Sequence, residues 1–122
     1  YLPVQVEGGL LSLGDLHAAM GIAEPTWVSL EAAGQVTLRT HVEKGMGITM
    51  PRLRIGTSTY CLGMGDTLEQ GHQAALDDAF ALLKGQHNMS DFDAYAYASA
   101  CVDMRLGGPA TGIVMAVVPD PE

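Results

Sequence analysis

The chain has 122 residues, enough for one small domain or one piece of a larger fold. Charged residues make up 16% of it and apolar residues 48%, against roughly 25% charged in an average soluble protein. With 6 Lys and Arg against 14 Asp and Glu, the net charge is −8, and the clustered cations that nucleic acid requires are missing. No apolar run approaches the ~20 residues that span a bilayer, because Gly, Glu, Asp or His interrupts each one; partners are therefore neither nucleic acid nor membrane. Apolar content this high with modest charge also excludes disorder.

Leu2, Val4 and Val6 alternate with polar residues, which predicts a half-buried strand ending at Gly8-Gly9. A short apolar run, Leu10 to Leu13, stops at Gly14, and the segment Gly14 to Gly21 then sets Asp15 and His17 two apart among small residues. Trp27 to Leu30 reads as a short strand. Gln35 to Val42 alternates cleanly, with Val36, Leu38, Thr40 and Val42 on one face, and predicts another. Gly45 and Gly47 break that pattern, Pro51 bounds the next segment, and Ser58 to Leu62 is rich in strand formers.

After Gly65 the period changes from two to about four. Thr67 with Gln70 forms a capping box, and Leu68, His72, Leu76 and Phe80, joined by Ala75, Ala79 and Leu83, predict a helix of about 18 residues ending at Gly85. Ser90 with Asp93 opens a second helix through Phe92, Tyr95, Ala96, Ser99 and Val102, ending near Gly107-Gly108-Pro109. Ile113 to Val118 is an apolar run of strand length, stopped by Pro119 and Pro121. The order predicts an α+β fold: mostly antiparallel strands, sandwich-like, over 1–65, then two helices and a closing strand over 66–122.

Two cysteines, Cys61 and Cys101, sit far apart and in no CxxC pattern, so neither a disulfide framework nor a zinc finger is expected and both read as buried thiols. The chain opens at Tyr1 without Met or a basic leader, which suggests a fragment, a proteolytic product or a processed subunit.

Several residues could carry chemistry. If Asp15 and His17 lie in extended chain, both face one side, as a metal site or proton relay requires; the alternative is a loop Asp capping a turn beside a surface histidine. Glu24 and Glu31 flank a neutral stretch and could be ligands or general acid and base, or simply solvated charges. Asp103 and Arg105 follow the second helix, where ion pairing is the default and a substrate-orienting Arg105 the alternative. Asp77-Asp78 reads as a solvated helix face. No GxSxG elbow surrounds Ser58, and neither GxGxxG nor a P-loop occurs.

Leu2-Pro3-Val4 through Val6-Glu7-Gly8, then Leu11 to Gly21 and Glu24, resembles the acetamidase/formamidase family, whose signature is close to GDxHAxxGDGE. Ser90 to Arg105 is similar to the family's C-terminal helix and GDLR-like turn, and Gly112 to Pro119 to its closing strand. The resemblance spans nearly the whole chain and corresponds to the C-terminal portion of a family member.

It implies hydrolysis of a short amide, formamide- or acetamide-like, to carboxylate and ammonia in the cytoplasm. It also implies a divalent metal, zinc or calcium, with Asp15, His17 and Glu31 as ligands and Glu24 and His17 in catalysis. The expected partner is the missing N-terminal half or a partner subunit in a homo- or hetero-oligomer. The chain departs from the family pattern at Ile22-Ala23, where the family has Asp-Gly, at Thr26-Trp27, where it has Cys-Gly, and at Val102, where it has Gly. Those departures keep a second expectation open: a non-catalytic structural or regulatory member.

Overall fold

The computed structural model describes residues 1–109 and 112–122. Its main body is a four-stranded antiparallel sheet with two helices, the α+β class that the change of period predicts. Strands β3 (Arg52–Ile55), β4 (Ser58–Met64), β5 (Asp103–Leu106) and β6 (Ile113–Pro119) lie in the order β3-β4-β6-β5, so the closing strand β6 is central. β3 and β4 form a hairpin in which Ile55 pairs with Ser58; Gly56, at a φ of 57°, supplies the left-handed first residue of a two-residue turn.

Helix α1 (Leu68–Gly85) begins at the expected capping box: the Gln70 backbone N–H donates to Thr67, and the Gln70 side chain accepts from the Thr67 backbone. It packs onto β4 and β6 through small residues. Cys61 registers with Ala116, and Gly63 with Val114, so the sheet presents a shallow face. A Cβ on Gly63 would lie 2.2 Å from the Ala75 nitrogen and the Gly71 oxygen, so glycine there is what lets the helix backbone approach this closely. Leu82, Leu83 and Val118 are among the largest fully buried side chains of this core, each worth ~1.5–3 kcal/mol of burial. The buried stripe of α1 is thus Gly71, Ala75, Ala79, Leu82 and Leu83, whereas Leu68 and His72 of the predicted stripe are exposed. Phe80 turns toward the second helix and stacks on Tyr95 with ring centroids 6.4 Å apart.

Helix α2 (Asp91–Cys101) starts at Ser90, whose hydroxyl accepts the Asp93 N–H and donates to the Asp93 carboxylate. It buries Ala94 and Ala98, not the predicted face: Phe92 and Tyr95 are exposed. It also ends earlier than expected. Val102 takes extended backbone, and Asp103–Leu106 becomes edge strand β5, pairing Met104 with Ala116. Cys101 is exposed, correcting the expectation of two buried thiols; Cys61 is buried as expected, and both are free.

Residues 1–51 contribute two short strands, β1 (His17–Ala19) and β2 (Leu30–Glu31), which form a separate two-stranded sheet. The second sheet layer expected of a sandwich-like first half is limited to this pair. Leu2–Val6 and Gln35–Val42 form no strand, and their apolar side chains are exposed. Alternation tells which face of a strand would be buried, but a strand exists only with a ladder partner, and no strand among the described residues pairs with either. The Trp27–Leu30 strand likewise moves to Leu30–Glu31, because Trp27 sits at a φ of 65°, outside the β region.

One charged pair was invisible in the sequence. Asp78, expected on a solvated face, is only 12% exposed and receives Arg52 Nε at 2.7 Å and Nη2 at 2.8 Å, with Arg52 itself 7% exposed. The pair joins α1 to β3 by a two-pronged, charge-assisted contact.

Candidate functional site

The two-stranded sheet brings the sequence-predicted residues together. His17 registers directly opposite Glu31 across the β1–β2 ladder, and the Ala32 N–H donates to the Leu16 oxygen at 2.9 Å beside them. Directly paired residues project to the same face, so the histidine and the glutamate meet although a long loop separates them. Asp15, two residues before His17, reaches the same point from a left-handed conformation with a φ of 62°, which aspartate tolerates better than most residues.

His17 Nε2 lies 3.2 Å from Asp15 Oδ1 and 3.3 Å from Glu31 Oε1. The His17 side chain is 15% exposed, and the two carboxylates are open to solvent. Although both approaches are within ion-pair range, neither has the direction of a hydrogen bond, and the shielded Nε2 has no hydrogen-bond partner among the described residues. One ligand atom from each of the three residues falls within 4.8 Å of the others. Ligands at roughly 2.0–2.1 Å around a tetrahedral zinc ion stand about 3.3–3.4 Å apart. The two nitrogen-to-oxygen spacings and the nitrogen-plus-two-oxygen donor set fit one ion of that kind. Calcium, which takes six to eight oxygen ligands at 2.3–2.6 Å, fits this set less well.

Glu24 stands outside that group. It lies in the loop between β1 and β2, where its N–H donates to the Gly21 oxygen at 3.0 Å and its carbonyl accepts from the Trp27 N–H at 2.9 Å. Ala23, Glu24 and Trp27 all have left-handed φ values, each a strain of ~1–3 kcal/mol that the surrounding structure must hold. The Glu24 side chain is half-buried and receives the Ser29 hydroxyl at 2.9 Å. Ser29 was not singled out by sequence, since a hydroxyl five residues from a carboxylate carries no signal of its own. It lines a shallow groove of about 540 Å³ with Ala19, Met20, Gly21, Pro25 and Thr26.

Arg105 is exposed on β5, in the four-stranded sheet, where it registers with Met115; among the described residues it belongs to none of the ion pairs. A second cavity, about 350 Å³, is lined by Arg52, Arg54, Thr59, His87 and Asp120. Its two guanidinium groups are already engaged, Arg52 by Asp78 and Arg54 by Asp120. Arg54 holds the Asp120 carboxyl below the usual carboxylate range.

The model of the acetamidase/formamidase family matches residues 1–113. Among curated proteins and among solved structures, no match to the chain is found. The matched segment includes the Asp15–His17–Glu31 group, the Glu24 loop and most of the helix-covered sheet, so by sequence match over nearly its whole length the chain belongs to the acetamidase/formamidase family.

Proposed function

We propose that this chain carries part of the site of a short-chain amide hydrolase, acting on a formamide- or acetamide-like substrate. The observation that carries the reading is the convergence of Asp15, His17 and Glu31 on one point, with a shielded imidazole nitrogen that no hydrogen bond uses. Family membership supports the same chemistry.

In this reading Asp15, His17 and Glu31 hold a divalent ion, zinc in preference to calcium. When bound, such an ion supplies a Lewis acid for the amide carbonyl oxygen. Glu24 takes a proton from water as the new C–O bond forms and returns it to nitrogen as the C–N bond breaks; the carboxylic acid and ammonia so formed then exchange the remaining water proton, leaving carboxylate and ammonium. The Ser29 bond to Glu24 Oε1 leaves Oε2 for that proton. A small neutral amide needs little binding surface, which suits the shallow groove lined by Met20, Pro25 and Ser29.

The active unit includes a partner, either the rest of a longer chain or a second subunit, in a homo- or hetero-oligomer. Support comes from residues 1–51, where Leu10 is 96% exposed and Val42 84% exposed, apolar surface that folded monomers rarely leave open to this extent. Two free thiols and no disulfide suit the reducing cytoplasm, and no helix among the described residues is long and apolar enough to cross a membrane.

The test is ammonia release from a panel of short amides by the complete purified protein with any co-purifying subunits, alongside Glu24→Gln. Activity that falls about 10²-fold or more in the variant supports the reading. Equal activity in the two proteins overturns the role of Glu24, and no release from any amide overturns the hydrolase. The second reading, a non-catalytic member, is favoured by one observation: Ile22-Ala23 puts no acidic residue beside Glu24, where the family motif has one. That reading gains if the assembled protein binds its partner and hydrolyses nothing.

A further inference from the structure

We propose that Ser29 is the positioning residue for Glu24: its hydroxyl fixes one carboxylate oxygen and leaves the other free to take a proton. The inference rests on the amide-hydrolase reading above and concerns the same site.

The Ser29 hydroxyl donates to Glu24 Oε1 at 2.9 Å, and both side chains are half-buried. Among the described residues this is the hydrogen bond that the Glu24 carboxylate receives. A glutamate side chain left free would sample many rotamers, and ordering it costs ~1.5–2 kcal/mol. The loop backbone alone cannot do that ordering, because its bonds to Gly21 and Trp27 hold the Glu24 main chain and leave the side-chain torsions open. Ser29 is well placed to do it. It directly precedes β2, two residues before Glu31, the spacing that puts side chains on one face of an extended segment. β2 is in turn pinned by the His17–Glu31 register. Through Ser29, the carboxylate that moves the proton is therefore tied to the strand that carries one of the three converging groups. Ser29 also lines the groove itself, so the residue that holds Glu24 borders the open space.

Ser29 touches no reacting atom in this scheme, so its loss should lower turnover without weakening substrate or metal binding. The experiment compares Ser29→Ala, Ser29→Val and Ser29→Thr in the complete purified protein, reading kcat and KM for ammonia release and divalent metal content. Ala and Val should lower kcat between about 10- and 100-fold, the range for one hydrogen bond to a charged group, with KM within about twofold and metal content unchanged. Thr, which keeps the hydroxyl at the volume of Val, should restore kcat to within about threefold of the parent.

A Ser29→Ala protein with parental kcat overturns the inference, as does a Thr variant as impaired as Val. Loss of metal from Ser29→Ala also overturns it, by showing a structural role. The Glu24→Gln control separates the two levels: if it is impaired while Ser29→Ala is not, the positioning role alone fails. If neither changes activity, or no amide is hydrolysed, the underlying reading fails with it.

Discussion

His17 Nε2 and Glu31 Oε1 stand 3.3 Å apart across two paired strands, without a hydrogen bond between them. A buried imidazole nitrogen left this way costs stability, on the order of 1–3 kcal/mol, unless something else satisfies it. Asp15 adds a second carboxylate at 3.2 Å and does not satisfy it either. The arrangement is more economical as a cradle than as an ion-pair network.

The first expectation follows from that cradle. His17→Ala or Glu31→Gln should each remove most of the bound divalent metal, measured by elemental analysis of the purified protein, and lower amide hydrolysis in parallel. Stripping metal from the parent with a chelator should lower its melting temperature, because a ligand that binds only the folded state stabilises it by mass action. A parent protein that holds no zinc after equilibrium dialysis against the metal would count against the assignment.

Breaking the Arg52–Asp78 pair should be costly. Arg52→Met alone leaves the Asp78 carboxylate poorly solvated between α1 and β3, and should destabilise by ~3–5 kcal/mol in urea unfolding. The double variant Arg52→Met with Asp78→Leu should recover much of that loss, since the buried charge disappears with its partner. A single variant as stable as the parent would show the pair to be ornamental.

The two thiols should behave oppositely. Burial, reinforced by the charge of Asp78, pushes the Cys61 thiol up to about 12, whereas Cys101 is exposed. Maleimide should label Cys101 in the folded protein and Cys61 only after unfolding. The sign of the pH effect follows. The folded state keeps the Cys61 proton longer than the unfolded state, whose thiols titrate near 8.5. The contribution is therefore fully present below that pH and is lost as pH rises toward 12. Cys61→Ala should show a shallower fall in stability over that window than the parent.

Close packing makes a last prediction. Gly63→Ala places a methyl 2.2 Å from the backbone of α1, where no side chain can swing aside, so the helix must move. The expected loss is ~1–3 kcal/mol, read as a lower urea midpoint with unchanged slope. Gly14→Ala, whose added carbon would meet nothing within 4 Å, should be near neutral and serves as the comparison.

The sequence by itself determined the elements whose signals are local. The capping box at Thr67 and the four-residue period placed α1 at Leu68–Gly85, and the apolar run marked the closing strand, because caps and periodicity depend on residues a few positions apart. The Asp15–His17 spacing was legible for the same reason. Only the tertiary structure decided what needed a distant partner. Gln35–Val42 alternates well yet forms no strand, Asp103–Leu106 forms one because β6 offers it a ladder, and Asp78 is drawn inward by Arg52 from another element. The meeting of His17 with Glu31, and of Ser29 with Glu24, belongs to that second kind. Side-chain spacing can nominate a residue, but only a ladder or a loop closed in three dimensions can choose its partner.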